Sequence, residues 1–156
     1  TTTSAPIQCA AVTAFACGPE IDEYLVHARA ILRALGTWSS EKLAAAGARC
    51  HRPEGGFYLF PDFSGHAQRL RARGIADGDA LCARLLEETG VAILPGSDFG
   101  RPQGDWTARL AYVDFDGERA LAEHTRDATI DEAWLRRVTP RVTTAIDRMC
   151  DWLVRE

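Results

Sequence analysis

Apolar residues recur at steps of three and four along residues 20–46: Ile21, Tyr24, Leu25, Ala28, Ile31, Leu32 and Leu35. That spacing gathers them into one stripe of an α-helix, so a long helix is predicted from Glu20 to about Ala46. Gly36 and Ser39-Ser40 are where it would loosen before Leu43 and Gly47. After an irregular lead-in, a shorter helix is expected from about Ile7 to Ala16. Pro6 suits its first turn, and Cys17-Gly18-Pro19 stops it.

The pattern then changes. Ala48–Arg52 and Gly56–Phe63 read as β segments joined by the turn Pro53-Glu54-Gly55. Residues 64–78 carry Arg69, Arg71 and Arg73 among glycines and read as a solvated loop. Asp77 can cap a helix from Gly78 to Thr89 that turns Leu81, Leu85 and Leu86 inward, and Gly90 ends it. Val91–Leu94 is predicted as a short buried strand, Pro95–Gly100 as a turn and Thr107–Val113 as a further strand. A short helix starts near Gly117. The last helical region spans Asp131–Val154, with Thr139 and Pro140 opening a new helix rather than lying inside one. Trp134, Leu135, Val138, Val142, Ile146, Met149, Trp152 and Leu153 form its apolar face. Strands alternating with helices define an α/β fold: a small mixed or antiparallel sheet covered by helices on one side.

Composition narrows the possible functions. A net charge of −4 opposes nucleic-acid binding, which needs a basic stripe. No apolar run approaches the roughly 18 residues of a membrane span. Thr1-Thr2-Thr3-Ser4 has neither the basic region nor the apolar core of a signal peptide, so a cytoplasmic protein is expected. The absence of an initiator methionine points to a piece of a longer chain. Cys9, Cys17, Cys50, Cys82 and Cys150 are odd in number and include no C-x-x-C pair. Neither a disulfide framework nor a structural zinc site is expected from them, only idle thiols in a reducing compartment.

Of the 18 basic residues one, Lys42, is lysine, leaving a single candidate for imine chemistry. Ser39-Ser40-Glu41-Lys42 matches the S-x-x-K string of some serine hydrolases but lacks their partner motifs, so Lys42 reads as a solvated helix residue. His27, His51, His66 and His124 share no metal-ligand spacing, and no G-x-S-x-G elbow occurs. Gly96-Ser97-Asp98-Phe99-Gly100 precedes a strand and no lysine follows, so it is no phosphate loop. Asp114 and Asp116 suit turn and cap duty. Arg109 is the most informative residue. It interrupts an otherwise plain buried strand with a rigid fork that fits a carboxylate through two parallel hydrogen bonds. Its ordinary alternative is an edge-strand ion pair with Asp98 or Asp114.

Four strings fall in one order: Thr2-Thr3-Ser4-Ala5-Pro6-Ile7-Gln8-Cys9-Ala10-Ala11, then Pro53-Glu54-Gly55-Gly56-Phe57-Tyr58-Leu59-Phe60, then residues 88–100 (E-T-G-V-A-I-L-P-G-S-D-F-G), then Arg109-Leu110-Ala111-Tyr112. Together they resemble the class I/II, fold-type-I aminotransferases, which depend on pyridoxal 5'-phosphate. The resemblance implies that residues 1–18 end an upstream cofactor-binding domain and that 19–156 form the C-terminal small domain behind a long linking helix.

The resemblance also implies roles. Arg109 matches the arginine that grips the α-carboxylate of the amino acid or 2-oxo acid. Phe57 matches a position at the substrate mouth. Thr3 and Ser4 match a stretch that approaches the partner subunit's active site in the family's homodimer. The residues from Val91 to Gly100 match the strand and turn that present the arginine. The cofactor lysine, the acid facing the pyridine nitrogen and the phosphate-binding residues all precede the matched region, and Lys42 does not align with that lysine. The piece alone is therefore expected to be inactive, with no cofactor bound. A fold-type-I lyase or synthase domain, or a stand-alone binding module, remains compatible with the same residues.

Overall fold

The computed structural model describes residues 3–124 and 129–155. Helices α1 (Ala5–Ala14) and α2 (Pro19–Ala45) lead into strand β1 (Tyr58–Leu59) and a 3-10 turn over Ser64–His66. Then come α3 (Ala67–Ala72), α4 (Gly78–Thr89), β2 (Leu94–Pro95) and a second 3-10 turn over Gly96–Phe99. β3 (Ala108–Ala111), α5 (Gly117–Glu123), α6 (Glu132–Val138) and α7 (Pro140–Val154) complete the described chain. The sheet runs β1-β3-β2 with both pairings antiparallel, Tyr58 opposite Ala111 and Leu94 opposite Arg109. The fold is the expected α/β type. No described helix is long and apolar enough to cross a membrane.

Local chemistry explains where the helices begin and end. The Asp77 carboxylate accepts from the Ala80 amide at 2.9 Å, and Gly90 leaves α4 in the left-handed conformation at φ 74°. Asp116 and Asp131 cap α5 and α6 in the same way. Pro140 has no amide hydrogen to give, so α6 stops at Val138 and α7 starts afresh. The eight apolar residues predicted for this region are all buried. Residues such as Ile146, Met149 and Leu153 each contribute about 1.5–3 kcal/mol through burial. Leu35 and Leu43 of α2, and Leu81 and Leu85 of α4, close the same core.

Several expectations need correction. Residues 64–78 are not a solvated loop: they hold a 3-10 turn and α3, with Leu70 and Ile75 buried. The arginines there reach the end of α7. Arg73 donates to the Trp152 carbonyl at 3.1 Å and lies 4.3 Å from the Trp152 ring centre, while Arg69 donates to the Leu153 carbonyl. Cations so placed satisfy carbonyls that a helix end leaves unpaired. The strands are also shorter than predicted. Residues 48–52 contribute one bridge, Arg49 opposite Asp62, and Val91 and Ile93 are buried without joining a ladder. Pro61 and Pro95 supply no amide to extend the pairing. Leu86 is half exposed rather than inward.

Helix α2 runs through Gly36 without loosening. A Cβ at that position would lie 2.7 Å from the Tyr112 hydroxyl oxygen and 2.8 Å from the Pro53 ring, so the glycine permits close packing. The first half of α2 leaves Ile21 and Tyr24 exposed, and α1 buries no residue.

Candidate functional site

Along β3, Ala108 and Leu110, followed by Tyr112, point into the helix-covered core, so Arg109 and Ala111 lie on the opposite face of the sheet. Two rings hold the half-buried Arg109 guanidinium. The Phe99 ring centre is 4.0 Å away and that of Tyr58 is 4.4 Å. Such cation–ring contacts contribute about 0.5–2 kcal/mol each, depending on how dry they are. Tyr58 arrives through the pairing of β1 with β3, two residues along from Arg109. Phe99 arrives through the 3-10 turn after β2, whose start is pinned by the Gly96 amide donating to the Thr107 carbonyl at 2.8 Å. Phe60 meets Phe99 edge-on at 6.2 Å between ring centres.

The ordinary alternative for Arg109 does not occur. Asp114 instead accepts from Arg141 at 2.9 Å, and Asp98 forms no ion pair with Arg109. Among the described residues the Arg109 guanidinium has neither a carboxylate nor a carbonyl partner. Two rings crowd it, and its N–H groups are uncommitted. The surrounding rim is apolar, with Tyr58, Phe60, Leu94 and Phe99 all exposed by more than a third.

The other anticipated residues fall elsewhere. Phe57 packs on Tyr58 at a tilt, 4.4 Å between ring centres and one ring removed from Arg109, and lines a cleft of about 250 Å³ against α2. Thr3 and Ser4 are exposed at the start of α1, where their carbonyls accept from the Gln8 side chain and amide. Lys42 pairs with Glu132 at 3.3 Å and sits 5.5 Å from the Trp38 ring centre. All five cysteines are free thiols, and Cys9 and Cys17 are exposed. Among the described residues no three potential ligands cluster for a metal ion. Residue-by-residue reading missed Tyr58 and Phe99. Strand alternation could have flagged Tyr58, whereas Phe99 is brought in by a turn with no local signature.

A family model described as aminotransferase class I and II matches residues 1–114, a span that includes Arg109 and both rings. An aspartate/prephenate aminotransferase of Cereibacter sphaeroides is 48% identical over 58 residues, covering 36% of this chain and 14% of that protein. Alanine aminotransferase 1 of Bos taurus is 34% identical over 104 residues, covering 61% of this chain and 21% of that protein. Among solved structures, an aspartate aminotransferase of Thermotoga maritima superposes with a TM-score of 0.60 at 26% identity. That match takes in 99% of this chain and 30% of the other. An aminotransferase from Mycobacterium tuberculosis gives a TM-score of 0.55 at 27% identity, over 92% and 29%. The chain therefore spans less than a third of the length of the relatives it matches. On the match over residues 1–114 and on its fold, it belongs to the class I and II aminotransferase family.

Proposed function

We propose that this chain is the C-terminal small domain of a pyridoxal-phosphate-dependent aminotransferase, and that Arg109 holds the α-carboxylate of the amino acid or 2-oxo acid. The observation that carries the reading is the uncommitted guanidinium edge of Arg109, fixed between Tyr58 and Phe99 on the sheet face away from the helices. A carboxylate accepting two parallel N–H bonds there is oriented as well as bound, which is how a group remote from the reacting bond lowers its barrier. The apolar rim strengthens those bonds by excluding water.

In such an enzyme pyridoxal phosphate supplies the electron sink for amino transfer. The residues of this chain do not fit that group. Lys42 is the one lysine, and it is engaged by Glu132 and Trp38. The cofactor and its lysine are therefore assigned to a preceding large domain, with residues 1–18 as its tail and 19–156 as the small domain. The exposed Ile7 and Val12 of α1, with Phe15 just after it, support a segment made to be covered by another body. In the assembled cytoplasmic homodimer, Thr3 and Ser4 would approach the partner's site and Phe57 would border the substrate mouth.

The test is Arg109→Ala in the complete protein. Leaving a desolvated carboxylate unpaired costs about 3–5 kcal/mol. Catalytic efficiency should therefore collapse while absorbance still reports a normally loaded cofactor. Unchanged kcat/KM would refute the role.

A further inference from the structure

The cleft beneath Phe57 holds charges that the carboxylate reading does not use. Arg29 and Arg33 lie one turn apart on α2 and both line it, together with Pro53, Glu54, Gly56 and Tyr112. Neither arginine has an ion pair or hydrogen bond among the described residues, although other exposed arginines, such as Arg52, Arg84, Arg119 and Arg136, are each matched to an acid. Like charges four residues apart on a helix repel, so this arrangement costs stability unless something neutralises it. Glu54 is the one acid in the lining, and it pairs with neither arginine.

The opposite wall is a braced loop. The Tyr112 hydroxyl donates to the Gly56 carbonyl at 3.2 Å, and the Tyr112 amide donates to the Phe57 carbonyl at 3.2 Å. Pro53 packs on α2 beside Gly36, which fixes the loop against the helix that carries the arginines. With its carbonyl side held, the loop keeps the amide hydrogens of Gly55 and Gly56 free of any described acceptor. Both glycines have open space where a side chain would stand, and Gly56 has φ 68°. Arg29 and Arg33, both uncommitted, and Gly55 and Gly56, whose amides have no described acceptor, thus line a cleft of about 250 Å³, large enough for a small ion with several oxygens.

We propose that this cleft, formed by Arg29, Arg33 and the Gly55-Gly56 loop, binds a small oxyanion, either a phosphate or a carboxylate. Guanidinium forks suit both, and backbone amides add donors without selecting between them. The site is separate from Arg109 and its binding does not depend on the role given to that residue. Tyr112 joins the two, because it braces the loop and follows Arg109 by three positions on the same stretch of chain.

The 156-residue chain would be titrated with inorganic phosphate and, separately, with succinate. Amide and arginine side-chain resonances would be followed by NMR, with sodium chloride at matched ionic strength as the control. Saturable shifts at Gly55, Gly56, Arg29 and Arg33 are expected, and the tighter of the two anions identifies the class. Arg29→Gln with Arg33→Gln should weaken binding by about tenfold or more, while Glu54→Gln should tighten it about threefold by removing a competing charge. Arg141→Gln with Arg148→Gln, a basic pair on another surface, should leave it unchanged. Shifts that chloride reproduces, or binding that survives the Arg29/Arg33 double variant, would overturn the assignment. All of these residues are exposed, so the variants are expected to fold. Should the double variant unfold, an affinity unmoved by Glu54→Gln would overturn it equally. Failure here leaves the Arg109→Ala result untouched, so the two readings fall separately.

Discussion

The Arg109 guanidinium carbon lies over the Phe99 ring, 4.0 Å from its centre, and over the Tyr58 ring, 4.4 Å from its centre. Both rings are partly exposed, so trimming them disturbs the core little. Losing either would let the fork swing and rehydrate, at a cost of about 1 kcal/mol. In the complete protein, Phe99→Leu and Tyr58→Leu should each raise the amino-acid KM severalfold with kcat nearly unchanged. Steady-state kinetics decides this: KM values at the wild-type level in both variants would reduce the rings to mere cover.

Glu88 ties three helices together. Its carboxylate accepts from the buried Trp152 indole N–H at 2.7 Å and pairs with Arg73 and Arg84. Glu88→Ala should cost about 1–3 kcal/mol, because the indole donor loses its partner. The Trp152 bond first, and then Arg73 and Arg84, hold the Glu88 carboxyl below its usual value of 4.5. A folded value below the unfolded one contributes stability that is present above about pH 4.5 and lost as pH falls through the folded value. Urea midpoints between pH 7 and pH 3 should therefore fall less steeply for Glu88→Gln than for the wild type.

Gly36 is predicted to resist replacement, although alanine is the better helix former by about 1 kcal/mol. The added methyl would press on the buried Tyr112 hydroxyl and on Pro53. Overpacking of that kind costs about 1–3 kcal/mol. Gly36→Ala should lower the melting temperature, and a rise would show that the contact yields freely.

The thiols should divide into two classes. Cys9 and Cys17 are exposed on and just after α1. Burial pushes Cys50 and Cys150 up to about 11, and Cys82 up to about 12, the latter helped by Asp79 and Asp98. A thiolate is the reacting form, so these three should lag far behind. At pH 8 a disulfide reagent should titrate two groups quickly in the native chain and five after unfolding. Rapid release of three or more from native protein would contradict this division.

How much could be read in advance depended on the distance between partners. Asp77, Gly90 and the Thr139-Pro140 break act on their own neighbours, so their helix ends were legible. The apolar face of α7 was legible for the same reason. Leu70 was hidden because its flanking arginines looked like loop residues, whereas Arg73 and Arg69 meet carbonyls 79 and 84 positions away. Arg109 stood out by interrupting a strand, but one of the rings that hold it comes from a turn and the other from across the sheet. The first half of α2 carries a helix-core pattern of which the described fold leaves Ile21 and Tyr24 exposed. Periodicity marks a face meant for burial without naming what buries it.

The two rings crowd the Arg109 guanidinium at 4.0 and 4.4 Å and leave its N–H groups without a described partner. A group that offers two oxygens at the fork's spacing suits those donors best. A spherical anion such as chloride gains one contact where a planar acid gains two. Discrimination at this point is geometric before it is electrostatic, and raising salt should dilute it less than it would a bare surface charge.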